Sequence, residues 1–182
     1  MTGFGHNING FGFISSAASI PSLYAWGEGA DGRLGLGNTT DYSNPVLVGE
    51  STWSTVDSYG ATMALKTDGT LWSWGDNGNG ELGLGDTTKR SSPVQIGSLT
   101  DWAFISAGGG YLAAIKTDGT LWSWGAGAGG RSGHNNTTAY SSPVQIGSLT
   151  TWANCQATVN GGRAIKTDGT LWAWGDNYYG QV

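Results

Sequence analysis

Short stretches in which large and small side chains alternate recur along this chain, and glycine bounds each of them. In residues 70–74, Thr-Leu-Trp-Ser-Trp, two tryptophans alternate with leucine and serine. A period of two is typical of a β-strand. The pair Asp68-Gly69 stands just before this stretch and is typical of a two-residue hairpin turn, because both turn positions need positive φ. The pattern therefore predicts an antiparallel pair of strands, residues 61–67 and 70–74.

The same unit returns with a period of about 50 residues. The segment Lys-Thr-Asp-Gly-Thr-Leu-Trp begins at Lys66, Lys116 and Lys166, and Ser-Ser-Pro-Val-Gln-Ile-Gly-Ser-Leu-Thr begins at Ser91 and Ser141. Units of this length cannot bury their apolar faces alone, so repetition indicates stacking against neighbours. Trp-Gly pairs begin at Trp26, Trp74, Trp124 and Trp174, and a second tryptophan series comprises Trp53, Trp102 and Trp152.

Each unit is interpreted as four short strands. In the second unit we expect strands at 53–57, 61–67, 70–74 and 94–96, with a glycine-rich loop before the last and Pro93 at its start, where a missing N–H does least harm. One four-stranded antiparallel sheet per unit of this length is the mark of a propeller blade. The predicted fold class is all-β, a β-propeller built of four-stranded antiparallel blades of about 50 residues.

The repeats predict a partial propeller. Residues 1–22 are interpreted as a Gly/Phe-rich N-terminal arm, and residues 23–182 as about three blades with an incomplete last repeat. The fourth copy of the glycine-rich loop stops at residues 180–182, before its final Gly-x-Gly. Two explanations stay open: further blades of a longer protein close the ring, or partial rings of several copies or another protein complete the surface. An unclosed ring exposes strand edges that invite pairing.

The tryptophans are expected to fill the space between blades. Large aromatic side chains bury much apolar area, and stacked sheets offer the place for it. Alanine at Trp72 or Trp122 is therefore expected to cost about 3–5 kcal/mol of stability. The predicted blade core consists of Trp26, Trp72, Trp74, Trp122, Trp124, Trp172 and Trp174.

Composition and charge narrow the function classes. The 33 glycines imply many tight turns, and the 10 tryptophans exclude a disordered low-complexity chain. The net charge is −5 and the eight basic residues are scattered, which argues against a nucleic-acid partner.

No stretch is long and apolar enough for membrane insertion. Residues 1–22 lack the basic start of a secretory signal, so we expect synthesis in the cytosol. The single cysteine, Cys155, is interpreted as a small buried residue.

No set of residues predicts catalysis or metal binding. Histidine occurs only at His6 and His134, and neither stands in a pattern that suggests a nucleophile with its base. Residues 76–81 are rich in oxygen ligands but lack the spacing of a calcium loop. We therefore expect no enzyme activity, no metal and no cofactor.

Two segments are candidates for partner contacts. The third loop has Arg131, His134 and Asn135 where the second has glutamate, leucine and glycine. This departure is interpreted either as drift or as a contact loop, since function often lies on loops. The phenylalanines of the arm are interpreted either as a docking element that buries them on another subunit or as part of a simple strand on the first blade. They are Phe4, Phe11 and Phe13.

Residues 74–85, Trp-Gly-Asp-Asn-Gly-Asn-Gly-Glu-Leu-Gly-Leu-Gly, resemble the signature loop of the regulator-of-chromosome-condensation repeat family, and residues 26–37 do so too. The resemblance covers about 160 residues and implies a propeller. The founding member of the family is a nucleotide-exchange factor that binds chromatin, but none of its functional residues can be matched here. The near-identical repeats resemble the microbial and bacteriophage members of the family.

The leading interpretation is a non-enzymatic structural or interaction module, a decoration or fibre-like protein of a bacteriophage virion. Its expected partners are other virion proteins or copies of itself, or a glycan of the host surface. A bacterial cell-surface or carbohydrate-binding propeller is one alternative. An intracellular scaffold of the GTPase-exchange type is another.

Overall fold

The computed structural model describes residues 11–14, 22–49, 52–178 and 180. Fourteen strands and two single-turn 3₁₀ helices, Ala30–Gly32 and Ala128–Gly130, form this part of the chain. No helix in these ranges is long and apolar enough to cross a membrane. The strands are β1 Phe11–Ile14, β2 Ser22–Gly27, β3 Tyr42–Leu47, β4 Trp53–Ser58, β5 Ala61–Lys66, β6 Leu71–Gly75, β7 Arg90–Gln95, β8 Trp102–Ala107, β9 Tyr111–Lys116, β10 Leu121–Gly125, β11 Tyr140–Gln145, β12 Trp152–Ala157, β13 Gly161–Lys166 and β14 Leu171–Gly175.

The strands form four antiparallel sheets in chain order, which we call blades 1 to 4. Blades 2 and 3 have four strands each, in the orders β4-β5-β6-β7 and β8-β9-β10-β11. Blade 1 consists of β1-β2-β3 and blade 4 of β12-β13-β14. This arrangement confirms the predicted all-β fold with four-stranded antiparallel blades, and the sheets do not close into a ring. The Trp-Gly pairs lie at the ends of β2, β6, β10 and β14, one in each blade.

The predicted hairpins are present, but their turns have three residues and not two. The Lys66 N–H donates to the Thr70 carbonyl and the Gly69 N–H to the Lys66 carbonyl, each at 3.0 Å. Gly69 has φ 79°, whereas Asp68 does not adopt positive φ. The Asp68 carboxylate instead accepts the Thr70 N–H at 2.9 Å and the Thr70 hydroxyl at 2.6 Å. This side-chain acceptor favours a turn with a single left-handed glycine. The turns at Asp118 and Asp168 repeat these bonds.

The fourth strand of blade 2 begins earlier than predicted, at Arg90, and Pro93 lies inside it. Its pairing with β6 shifts between Ser73 and Gly75, whose partners are Val94 and Arg90. Pro93 falls within this irregular stretch of an edge strand, where its missing N–H breaks no ladder bond. Blade 3 repeats the shift between β10 and β11.

The cores lie between the blades, one for each pair of neighbours. Cys155 belongs to the core between blades 3 and 4, and burial raises the pKa of its thiol to about 12. The core between blades 1 and 2 contains Leu23, Ala25, Leu34, Val48, Trp53, Ala64 and Trp74. Between blades 2 and 3 lie Met63, Leu65, Leu71, Ile96, Trp102, Ile105, Leu112, Ala114 and Trp124. Between blades 3 and 4 lie Tyr111, Ala113, Ile115, Leu121, Trp152, Cys155, Ala157 and Ala164.

The tryptophans of the predicted core differ widely in burial. Trp74 and Trp124 are fully buried. Trp172 is 48% exposed, contrary to its expected place in the core. It lies on β14 at the edge of blade 4, where blades 2 and 3 carry a fourth strand. The other four, Trp26, Trp72, Trp122 and Trp174, are half-buried.

Part of the N-terminal arm is a strand of blade 1. Strand β1 pairs with β2, with Phe11 opposite Ala25 and Phe13 opposite Leu23. This pairing corresponds to the second interpretation of the arm, a strand on the first blade. Phe4 and the side chains of Phe11 and Phe13 lie outside the described residues.

Candidate interaction site

Each glycine-rich loop holds a tryptophan of the next blade. The Trp124 indole N–H donates to the Glu81 carbonyl at 2.8 Å, and the ring lies against Gly83. The same bond joins Trp74 to the Arg33 carbonyl and Trp174 to the Arg131 carbonyl, both at 3.0 Å. A buried indole N–H usually finds such an acceptor. The signature loop therefore fixes the next blade by a hydrogen bond as well as by packing.

The first two of these loops also contact the fourth strand of the next blade. The Gly37 N–H donates to the Ser91 carbonyl and the Gly85 N–H donates to the Ser141 carbonyl, each at 2.7 Å. Ser91 lies in β7 and Ser141 in β11. The residue equivalent to Gly85 in the third loop is Asn135. The first two loops thus contact the next blade at two places, the tryptophan and the fourth strand.

A polar side chain on the first strand of a blade bonds the following blade. Asp57 Oδ2 accepts the Ala107 N–H at 2.9 Å, and Ser106 Oγ accepts the Ala157 N–H at 3.0 Å. Burial raises the pKa of the Asp57 carboxyl above its usual value near 3.8, although the N–H groups of Ala107 and Ser58 oppose this shift. These two hydrogen bonds between blades were not predicted from the sequence, because they depend on how neighbouring blades pack.

Because the pKa of Asp57 is raised on folding, ionisation of its carboxyl disfavours the folded state. Its contribution to stability is greatest below pH 3.8 and falls as the pH rises through the folded pKa. Asp57→Asn keeps an acceptor for Ala107 and cannot ionise, so its stability relative to the wild type is expected to rise with pH over this window. Asp57→Ala leaves the Ala107 N–H without an acceptor and is expected to cost about 1–3 kcal/mol. Both changes in stability are measured by urea unfolding at a pH below 3.8 and again at a pH above the folded pKa of Asp57. A pH-independent difference in stability between Asp57→Asn and the wild type would contradict the raised pKa of Asp57.

The repeated lysines pack on pairs of tryptophans. Lys66 Nζ lies 3.7 Å from the centroid of the Trp72 ring, and the Trp53 and Trp72 rings meet edge to face with their centroids 6.0 Å apart. Blades 3 and 4 repeat this arrangement with Lys116 and Lys166. Cation–π contacts of this kind stabilise a packed aromatic pair. The lysine that opens the motif Lys-Thr-Asp-Gly-Thr-Leu-Trp therefore has a structural role. Its presence in all three copies of the motif is the sequence signal that could have predicted this role.

Of the three candidate contact residues in the third loop, two are engaged within the chain. His134 Nε2 lies 2.9 Å from Ser123 Oγ, and the imidazole meets the Tyr140 ring edge to face. Burial lowers the pKa of His134, which favours the neutral ring. Arg131 Nη1 donates to the Gly109 carbonyl at 3.1 Å. Only Asn135 is exposed, with φ 57°.

The His134–Ser123 pair does not have the geometry of a catalytic dyad. Ser123 is fully buried, and its hydroxyl donates to the Ser132 carbonyl at 2.6 Å. Ser73 makes the same bond to the Leu82 carbonyl in blade 2, where no histidine is present. The serine is therefore part of the repeat's scaffold. Among the residues that the structure describes, no three histidine, cysteine or acidic side chains gather as metal ligands.

A shallow groove of about 430 Å³ lies between the third loop and β14. Asn135 is the only one of the three candidate contact residues that lines it. The floor includes Trp174, whose ring lies against Gly133. The full lining consists of Gly130, Gly133, Asn135, Asn136, Thr137, Trp174 and Gly175.

Blade 4 exposes apolar side chains on the face turned away from blade 3. Ile165 is 43% exposed and Leu171 is 66% exposed. Their counterparts in blade 3, Ile115 and Leu121, are buried against blade 4 in the core that contains Trp152. Arg163 and Ala173 lie on the same face and are exposed. We call the surface formed by Arg163, Ile165, Leu171 and Ala173 the open face.

Solved structures of propellers resemble this chain. Human WBSCR16 superposes with a TM-score of 0.75 at 24% identity, over 86% of this chain and 43% of that protein. Yeast RCC1 (Prp20), in a crystal structure with Kap60, superposes with a TM-score of 0.73 at 22% identity, over 86% of this chain and 40% of that protein. Identities this low show the fold alone. The chain spans less than half the length of these proteins. No curated protein sequence gives a significant match.

The sequence profile of the Regulator of chromosome condensation (RCC1) repeat matches residues 22–57 and 68–115, and a second profile with the same description matches residues 164–181. These matches include three of the four Trp-Gly strands, β2, β6 and β14, and the first two of the loops that hold the next blade's tryptophan. The chain therefore belongs to the regulator of chromosome condensation (RCC1) repeat family.

Proposed function

We propose that this chain is a non-enzymatic interaction module whose open face of blade 4 packs against an apolar protein surface, either a further blade of the same polypeptide or a separate protein. The observation that carries the proposal is the exposure of Ile165 and Leu171, whose counterparts in blades 2 and 3 are buried by the following blade. Contiguous exposed apolar side chains on a folded protein mark interaction surfaces. The propeller fold of the family, which serves protein interaction, is consistent with this role.

The covered counterparts indicate what the partner offers. Ile115 and Leu121 of blade 3 pack against Trp152 and Cys155 of blade 4, which is an apolar sheet face with an aromatic anchor. The open face differs by Arg163, an exposed cation where blade 3 has an alanine. The partner is therefore an apolar protein surface with an aromatic side chain and an acidic group placed opposite Arg163. Aromatic anchors of this kind dominate the binding energy of protein interfaces.

At a finer level, the proposed setting is a bacteriophage virion, in which the chain is a decoration or fibre-like structural protein that binds other virion subunits or copies of itself. Its support comes from the near-identical repeats, which resemble microbial and phage members of the family. Only 12% of the residues are charged, so the surface is largely covered by small polar side chains. Localisation to the virion follows as part of the same proposal.

The second candidate function rests on family membership. A structure of yeast Prp20p is described together with its binding to Gsp1p and histones. The alternative is therefore an intracellular scaffold that binds a small GTPase. The net charge of −5 and the scattered basic residues argue against the chromatin part of such a role.

One experiment tests the face and the setting together. Three tagged forms of the chain are expressed in cells that produce the virus particles: the wild type, Ile165→Asp and Thr167→Asp. The amount of each form in the purified particles is then measured by immunoblot. Wild type and Thr167→Asp, which places the same charge on an exposed turn beside the open face, are expected to incorporate. Ile165→Asp is expected to be lost from the particles by about tenfold or more, because a buried unpaired charge opposes docking. Incorporation of Ile165→Asp at the wild-type level would refute the role of the open face in assembly. Absence of all three forms from the particles would refute the virion setting.

A further inference from the structure

The third glycine-rich loop lacks the side chains that brace the other two loops. In the second loop, the Asn77 amide donates to a backbone carbonyl of the same loop at 3.0 Å. In the first loop, the Asp41 carboxylate accepts the Gly29 N–H at 2.9 Å. The equivalents of Asn77 and Asp41 in the third loop are Gly127 and Ala139. Neither residue has a side chain that can form such a hydrogen bond.

The third loop also buries a polar group where the other two loops bury leucine. Leu34 and Leu82 are buried in the first and second loops, and Ser132 occupies the equivalent position with no exposed surface. Within the described ranges, Ser132 Oγ has no hydrogen-bond partner. A buried hydroxyl without a partner disfavours the folded state, and serine fills less of a core than leucine does. These differences predict a weak joint between blades 3 and 4, by which we mean the third loop, Trp174 and the core behind them.

His134 ends a chain of hydrogen bonds that holds the third loop on blade 3. The Ser123 hydroxyl donates to the Ser132 carbonyl at 2.6 Å. His134 Nε2 lies 2.9 Å from the same hydroxyl oxygen and 3.5 Å from the Ser123 carbonyl, so Nε2 is the donor. The neutral ring therefore has its proton on Nε2, and a second proton would bind at Nδ1. The first and second loops have leucine at this position, Leu36 and Leu84.

The groups around the imidazole do not favour its charged form. The Tyr140 ring from β11 meets it edge to face with the centroids 4.9 Å apart. The charged residues of the loop and of the segment after β14 are Arg131, which donates to backbone carbonyls, and Asp176, which accepts a backbone N–H. Burial lowers the pKa of His134, although the contact with the Ser123 carbonyl opposes this shift.

The pH responses of two neighbouring joints have opposite signs. Folding lowers the pKa of His134 below its usual value of 6.5, so its contribution to stability is complete above pH 6.5 and is lost as the pH falls through the folded pKa. Burial raises the pKa of Asp57 and of Glu81, which lie at the joint between blades 2 and 3. That joint therefore gains stability as the pH falls. Acid weakens one joint and strengthens the one before it.

We infer that the third loop is a pH-sensitive joint, in which protonation of His134 releases the loop and lets blade 4 separate from blade 3. The loop makes two contacts with Trp174: the Arg131 carbonyl accepts the indole N–H at 3.0 Å, and Gly133 lies against the ring. Release of these contacts opens the core that contains Cys155. Such local opening requires less free energy than unfolding of the whole chain. The device does not depend on what packs against the open face.

Cys155 can report the opening, because it is the single cysteine and is buried in the core between blades 3 and 4. The rate at which a pyridyl disulfide labels its thiol in the full chain is measured at about pH 7.5 and about pH 5, relative to a cysteine peptide at the same pH. The relative rate of the wild type is expected to be about tenfold higher at the lower pH, the effect of about one unit of pKa shift.

His134→Leu is the control for this measurement, because it restores the residue type of the other two loops and cannot be protonated. Its relative labelling rate is expected to be the same at both pH values. A wild-type relative rate that does not rise at the lower pH would overturn the inference. A rise that His134→Leu retains in full would overturn it as well.

A second reporter separates opening of this joint from loosening of the whole chain. Ile105 is the equivalent of Cys155 on β8 and is buried in the core between blades 2 and 3. The double variant Ile105→Cys, Cys155→Ala moves the thiol to that core, and thermal unfolding verifies that it folds. Its relative labelling rate is expected to stay unchanged or to fall at the lower pH. A rise equal to that at Cys155 would show unfolding of the whole chain and would contradict a joint-specific device.

Protonation of His134 is measured directly by NMR. His6→Gln leaves His134 as the single histidine, and its imidazole signals are followed from about pH 8 to about pH 4. The midpoint of the titration is expected below 6.5. A midpoint at or above this value would mean that the Tyr140 ring stabilises the imidazolium by a cation–π contact, and the proposed release could not occur.

Discussion

Trp124→Ala is expected to lower the free energy of unfolding by about 3–5 kcal/mol, the usual loss for a large core aromatic. Trp124 has no exposed surface and packs in the core between blades 2 and 3, where its ring lies 6.2 Å from that of Trp102. Its removal also takes the donor from the Glu81 carbonyl, which lies 2.8 Å from the indole nitrogen. Urea unfolding followed by tryptophan fluorescence measures the loss.

Trp172→Ala is the matched control for this prediction. It removes the same side chain from the equivalent strand of blade 4, but Trp172 is 48% exposed. This substitution is expected to lower the free energy of unfolding by about 1 kcal/mol, because Trp172 buries little apolar area on folding and its edge-to-face contact with Trp152 is the main interaction lost. Trp122→Ala, for which the sequence predicted the full core effect, should fall between the two, since Trp122 is half-buried. Equal losses at Trp124 and Trp172 would contradict the assignment of the core.

Gly83→Ala is expected to cost about 2–4 kcal/mol, more than a glycine substitution in a loop usually does. Gly83 has φ 70°, which an alanine adopts only with strain. The added β carbon would also lie 2.7 Å from Trp124 Nε1, so the ring would have to leave its bond to Glu81. The loss is measured by urea unfolding.

Gly97→Ala separates strain from contact. Gly97 has φ 60° and nothing within 4 Å of an added β carbon, so only the backbone term of about 1–2 kcal/mol applies. A larger loss at Gly83 than at Gly97 would show that the loop glycine is needed for the approach of the next blade's tryptophan. Losses of the same size would mean that this approach tolerates a methyl group.

Much of the local structure could be predicted from the sequence because each repeat encodes its own strands. The alternation in residues 70–74 and the glycine after Asp68 placed β5 and β6 within one residue of their observed limits. The turn type was wrong, since the preference of Asp-Gly for a two-residue turn was outweighed by the two bonds that the Asp68 carboxylate accepts from Thr70. The start of β7 was also misplaced, because proline was taken to begin a strand whose edge position tolerates it internally.

The candidate site was harder to predict, because its features belong to contacts between repeats. Asn135 was singled out as a departure from the repeat, and it does line the groove. Arg131 and His134 were singled out for the same reason, but both are engaged within the chain. No local pattern separates these outcomes, since each depends on where the next blade lies.

The sequence by itself determined the period, the strands, the all-β class and the family, because these depend on side chains close together along the chain. Only the tertiary structure decided which tryptophans are buried, that Asp57 joins two blades and that Ile165 and Leu171 are exposed in the described part of the chain. Copies of one repeat have nearly the same residues but different neighbours. Burial and hydrogen bonding are therefore set by a copy's position in the stack, and identical motifs such as Leu121-Trp122 and Leu171-Trp172 form a core in one blade and an exposed surface in another.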